Sequence, residues 1–167
     1  MERFFGRRGA IWAKGRRVVC NKLVGRPMEI LLIEDSFVQA RLAIESLKAG
    51  QVKHRMTLVM DGEEALDFLR QRGVFARAPR PDLILLDLRL PKFDGLEVLA
   101  EIRSDEALKN IPVVVMTSSP DAEDKRQCEM LDVECYITKP VDMHKFLAIV
   151  KQLKKYWQAD VILPVLN

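Results

Sequence analysis

A chain of 167 residues lies in the usual range for one domain and can bury about two thirds of its unfolded surface. The formal charge of +3 hides an asymmetry: residues 1–27 carry eight Lys or Arg against Glu2 alone, a net +7, so the remainder sums to −4 and basic-patch chemistry is confined to an appendage. Cys20, Cys128 and Cys135 show no CxxC or metal-ligand spacing, and no apolar run nears the ~18 residues of a membrane span, which excludes a disulfide framework, a zinc site and a spanning helix and fits a reducing cytoplasm.

In chain order, residues 1–27 interleave Phe4, Phe5, Ile11 and Trp12 with arginines and end just before Met28. They read as a basic N-terminal extension, disordered or dispensable. A nucleic-acid- or membrane-contacting arm is the competing reading.

From there, apolar β-type runs alternate with helical patterns of about 10 to 15 residues, the pattern of βα units around a parallel sheet. Ile30–Ile33, Leu83–Leu86 and Val113–Met116 are apolar at every position, as strands covered on both faces must be. His54–Met60 and Glu134–Thr138 are more mixed and belong at the sheet edges. Ser36 with Gln39 forms the start signal of a first helix whose apolar stripe is Phe37, Ala40, Ile44 and Leu47. Asp61 with Glu64 starts a second, with Ala65, Phe68 and Leu69 inward. The third begins near Gly95 and buries Val98, Leu99 and Ile102. Ala122–Leu131 is a polar fourth helix with a weak apolar stripe, suited to movement or to a partner. A fifth runs over 142–156 with Phe146, Val150 and Leu153 in register. The closing 157–167 is too apolar, from Val161 to Leu166, for a free tail, and predicts packing on its own domain or a homodimer contact.

Ligands of a doubly wound sheet bind beyond the carboxyl ends of its strands. The residues that follow the apolar runs are Glu34 and Asp35, then Asp87, Thr117 and Lys139. With strand order 2-1-3-4-5 the first and third strands are neighbours, which gathers Glu34, Asp35 and Asp87. Three carboxylates so close repel, and a hard divalent cation resolves that repulsion; Mg²⁺ suits a small oxygen-lined site. A carboxylate can itself attack a phosphoryl donor when charge on the equatorial oxygens is offset, here by the cation, the Lys139 ammonium and the Thr117 hydroxyl. Taken singly, Thr117 would be a strand-end cap, Lys139 a surface charge and Glu34-Asp35 a helix-dipole pair. Their joint placement reverses those readings. His54 and His144 lack ligand partners in sequence and read as surface residues.

The set Glu34-Asp35-Ser36, Asp87 through Gly95 (DLRLPKFDG), Thr117-Ser118 and Lys139-Pro140 resembles the receiver domains of two-component response regulators, over about residues 28–156. The resemblance implies a flavodoxin-like (βα)5 α/β fold and a phosphoryl group accepted by Asp87 from a histidine kinase. It implies Mg²⁺ held by Glu34, Asp35, Asp87 and the Arg89 backbone carbonyl, and a cis Lys139-Pro140 bond. It also implies a switch in which Thr117 moves toward the phosphoryl group and Tyr136 turns inward, although a half-buried aromatic on an edge strand explains Tyr136 equally well by itself. The Leu-Pro-Lys-Phe-Asp-Gly segment, Ile111-Pro112-Val113, Cys135 through Asp142 and Tyr156-Trp157 are similar to regulators that partner phytochrome-type kinases. Arg89 departs from the small or uncharged residue common two positions after the acceptor, which bears on phosphoryl lifetime.

The expected function is thus a phosphoacceptor signalling protein without metabolite turnover, whose output is a downstream protein partner. Two rival readings are a nucleic-acid-binding regulator using residues 1–27 and, with less support, a small aspartate-nucleophile phosphatase. The phosphatase would want a second acid where Arg89 stands.

Overall fold

The computed structural model describes residues 10–13, 16–19, 27–49, 54–118, 121–139, 142, 144, 145, 148 and 149. Its elements are β1 (Ala10–Ala13), β2 (Arg16–Val19), β3 (Met28–Ile33), α1 (Phe37–Ala49), β4 (His54–Val59), α2 (Gly62–Leu69), β5 (Leu83–Asp87), α3 (Gly95–Ser104), β6 (Val113–Thr117), α4 (Ala122–Met130) and β7 (Cys135–Thr138). Strands β3 to β7 form one parallel sheet in the order β4-β3-β5-β6-β7, which is 2-1-3-4-5 counted from β3. The expected doubly wound α/β architecture is therefore present.

β1 and β2 pair antiparallel as a separate hairpin, Ala10 opposite Val19. Part of the extension expected to be disordered or dispensable is thus a two-stranded sheet. Of the helix expected over 142–156, Asp142 accepts backbone hydrogen bonds from His144 (2.8 Å) and Lys145 (3.2 Å), and Ile149 is buried. The rest of that helix, Pro140 and the 157–167 tail lie outside the described residues.

β5 and β6 are buried along their whole length and β3 at every position but Glu29, and the strands sort their side chains by alternation. Leu31, Ile33, Ile84, Leu86, Val113 and Val115 pack with α2, α3 and Cys128 of α4, while Ile30, Leu32, Leu83, Leu85, Val114 and Met116 pack with Ala40, Ala43, Leu47 and Ile149. Each such aliphatic side chain contributes about 1.5–3 kcal/mol on burial, which is why apolar runs of this kind can exist only between two helical layers.

One residue of the expected α1 stripe is misplaced: Phe37 is 71% exposed. It opens the first turn, directly after the loop that leaves the end of β3, and the buried stripe of α1 is Ala40, Ala43 and Leu47. α4 buries only Asp124 and Cys128 and leaves Met130 exposed, in keeping with its weak apolar pattern.

The helix starts follow from their caps. Asp61 accepts from the Glu64 backbone N–H at 2.8 Å, and Asp94 and Glu97 make a reciprocal capping box at α3. Gly95 begins α3 so close to β5 that a Cβ there would overlap the Asp87 carbonyl.

Candidate functional site

The register of the parallel sheet levels the strand ends. Ile33 lies opposite Leu86, which sets Glu34 beside Asp87, and Thr117 lies opposite Thr138, which sets Lys139 one residue beyond. The Lys139 backbone N–H donates to the Thr117 carbonyl at 2.8 Å and so continues the ladder to the site.

The Lys139 ammonium, 6% exposed, donates to Asp87 Oδ2 at 3.0 Å and to Glu34 Oε2. Glu34 and Asp87 are both buried, and Lys139 is the cation that permits two carboxylates to share this space. Burial pushes the Glu34 carboxyl above its usual range; the hydrogen bonds from Lys139 and the Ser36 backbone oppose that shift.

Carboxylate oxygens of Glu34, Asp35 and Asp87 all lie within 4.8 Å of one another, with Asp35 open to solvent. That donor set is all oxygen, acidic and reachable from one side, which fits a hard divalent cation. The three residues singled out from sequence therefore do come together.

On the other side of Asp87, the Arg89 backbone N–H donates to Oδ1 at 3.1 Å. Arg89 belongs to the loop between β5 and α3, in which Lys92 has a positive φ of 62° and its ammonium reaches Asp61 Oδ2 at 2.6 Å. The neighbouring Phe93 packs so closely on Gly62 that no Cβ fits there. Asp61 is held below the ordinary carboxylate range by its cap bond from Glu64 and by Lys92.

Thr117 is buried at the end of β6. The Tyr136 hydroxyl points inward beside Thr117, Asp124 and Cys128 and lacks a well-directed hydrogen-bond partner. Burial raises its pKa.

Two contacts around this centre escape sequence reasoning. The Arg89 guanidinium pairs with Asp124 of α4 at 2.6 Å, and Lys92 clamps the loop onto the start of α2. The Arg89–Asp124 partners are 35 residues apart, and no spacing rule joins them.

The arrangement, with a buried Asp at the end of a central strand, a Lys on it and acidic neighbours at the switch point, matches a known family along most of the chain. The model of the response regulator receiver domain covers residues 30–151. The chain belongs to this family.

Among relatives of this receiver, response regulator Rcp1 of Synechocystis sp. is 44% identical over 138 residues, 83% of this chain and 94% of that protein. A solved structure of a phosphorylated cyanobacterial phytochrome response regulator, RcpA, is 47% identical with a TM-score of 0.67, covering 83% of this chain and 99% of that one. The bacteriophytochrome response regulator AtBRR is 34% identical with a TM-score of 0.73, covering 85% and 99%. A receiver is a signalling protein, not a metabolic enzyme, and receivers work with a histidine kinase. No described helix is long and apolar enough to cross a membrane.

Proposed function

We propose that this receiver takes a phosphoryl group onto Asp87 from the phosphohistidine of a phytochrome-type histidine kinase, and signals by changing a protein contact. The observation that carries the reading is the placement of Lys139 on both Asp87 and Glu34, within an acidic trio at the strand ends. The phytochrome link is supported by the relatedness to RcpA and AtBRR.

In this reading an Asp87 carboxylate oxygen attacks phosphorus as the phosphorus–nitrogen bond breaks, and the imidazole leaves with that electron pair. Arg89 N–H fixes one Asp87 oxygen, which directs the other toward the donor. Lys139 balances charge on a phosphoryl oxygen, and the Thr117 hydroxyl donates to another. Glu34, Asp35, Asp87 and the Arg89 carbonyl would hold Mg²⁺, whose positive charge would offset the negative charge on the phosphoryl oxygens. A related Rcp1 structure is described as Mn²⁺-bound, in keeping with a divalent site. Thr117 and Tyr136 form the switch, and the same centre returns the acyl phosphate to carboxylate by hydrolysis.

Acetyl phosphate or a phosphorylated kinase in Mg²⁺ will transfer label to the wild type and not to Asp87→Asn. Equal acid-labile, hydroxylamine-sensitive label in both would exclude Asp87 as acceptor. The 157–167 tail is assigned to self-association, so its deletion will lower the mass measured by light scattering at high concentration. An unchanged mass removes that role.

A further inference from the structure

The Arg89–Asp124 pair does not behave as an ordinary surface salt bridge. Its two ends are unequal: the Arg89 side chain is 66% exposed and that of Asp124 only 11%. Exposed pairs are worth little because water competes for both ends, but here the carboxylate is already withdrawn from water and depends on its partner. Along α4 only Asp124 and Cys128 are buried, and Arg103 holds its C-terminal end through the Leu131 carbonyl. The Arg89 contact is therefore the tie of the first turn of α4, around Asp124.

The same residue touches the phosphoacceptor. Its backbone N–H bonds Asp87 Oδ1 at 3.1 Å, so its side chain starts beside the carboxylate and extends across to α4. Around Asp124 lies the inward Tyr136 hydroxyl, buried without a well-directed partner, with Arg89 and Thr117 among its neighbours. The polar neighbours thus run from Asp87 through Arg89 and Asp124 to Tyr136.

We propose that Arg89 is a switch residue with two alternative partners: it holds Asp124, and with it α4, while Asp87 is unmodified, and it moves onto the phosphoryl oxygens once Asp87 is phosphorylated. This rests on Asp87 being the phosphoacceptor. A phosphoryl group brings nearly two negative charges next to the Arg89 backbone, and a planar guanidinium binds phosphate through paired hydrogen bonds better than it binds a single carboxylate oxygen. Release leaves Asp124 buried without its cation, and α4 shifts until that carboxylate is hydrated or accepts the Tyr136 hydroxyl. Arg89 acts as a positioning residue for α4 through Asp124 and as a phosphoryl-binding residue directly.

The test uses the full chain with Mg²⁺ and beryllofluoride, which mimics an acyl phosphate, titrated by calorimetry, together with hydrogen exchange of α4. By linkage, Asp124→Asn removes the competing partner and tightens beryllofluoride by about three- to tenfold. Without beryllofluoride, α4 exchanges faster in both Asp124→Asn and Arg89→Met, the latter cutting the pair from its exposed side where folding is least disturbed. Adding Arg89→Met to Asp124→Asn loosens beryllofluoride again, and Arg89→Lys in that background recovers part of the affinity. If wild type binds the mimic but Asp124→Asn binds it no more tightly, or if α4 exchange is unchanged in both single variants, the switch is overturned while the phosphoacceptor reading stands. A wild type that neither binds beryllofluoride nor takes label overturns both.

Discussion

Replacing Lys139 by Met tests the electrostatics of the site without altering its acids. At the 3.0 Å separation from Asp87, and an effective dielectric of about 20, the attraction amounts to about 5 kcal/mol. Relief of the ammonium's desolvation offsets part of this, which leaves a net loss of about 3 kcal/mol when two buried carboxylates lose their shared cation. For a domain of this size that corresponds to a fall in Tm of about 10 °C. The assay is urea unfolding followed by circular dichroism, in EDTA and in saturating Mg²⁺. The cation will restore part of the loss because it supplies replacement positive charge. The pH dependence has a definite sign. Burial raises the Glu34 pKa above 4.5 in the folded state, so the folded form favours protonated Glu34. That contribution is full below 4.5 and is lost as pH rises through the folded value. The deficit of Lys139→Met will consequently be largest at neutral pH and shrink on acidification as Glu34 takes up a proton. A variant within about 1 kcal/mol of wild type in EDTA at neutral pH would refute the reasoning, since an uncompensated buried pair of carboxylates costs more than that.

Gly95→Ala will push α3 away from the Asp87 carbonyl; measured by acetyl phosphate labelling, the rate will drop more than tenfold, about the effect of a misplaced reacting group. Asp61→Ala removes the α2 cap and the Lys92 clamp and will cost about 1 kcal/mol in urea titrations at neutral pH. Because the folded Asp61 pKa lies below 3.8, its contribution is present above 3.8 and fades as pH falls through the folded value, so the two proteins converge in acid. Arg103→Met will cost about 3 kcal/mol while leaving Asp87 labelling intact: its guanidinium bonds the carbonyls of Leu131, Lys109, Ile111 and Asp132, and the bonds to Leu131 and Ile111 are the two shielded from water.

The strands and the trio at their ends were legible because both follow from short-range rules. An all-apolar run such as Leu83–Leu86 admits few placements other than a doubly covered strand, and the residue after such a run emerges at the carboxyl end of the sheet. Starts of helices were legible where a cap is written in the chain, as at Asp61. Phe37 was misread because helical spacing gives the direction of a stripe but not whether the first turn has anything beneath it. The hairpin at Ala10–Val19 was missed because its strands, Ala-Ile-Trp-Ala and Arg-Arg-Val-Val, lack the period-two alternation that marks a half-buried strand. Arg89–Asp124 and the four carbonyls around Arg103 lie beyond any local rule: a long, flexible cation finds its partner only after the elements have packed.

The loop that follows Asp87 is held very differently on its two flanks. Toward α2 it is fastened by Lys92 on Asp61 and by Phe93 seated against Gly62, a contact with no room for a methyl group. Toward α4, among the described residues, the ion pair that joins it is that of the Arg89 guanidinium with Asp124. In the proposed reading, a phosphoryl group on Asp87 meets a close-packed wall on the α2 side and a single-side-chain tether on the α4 side, so the α4 side is the one that yields. Such a loop works as a mechanical rectifier: the added charge supplies the push, and the geometry of its anchors sets which surface of the molecule hears about the event.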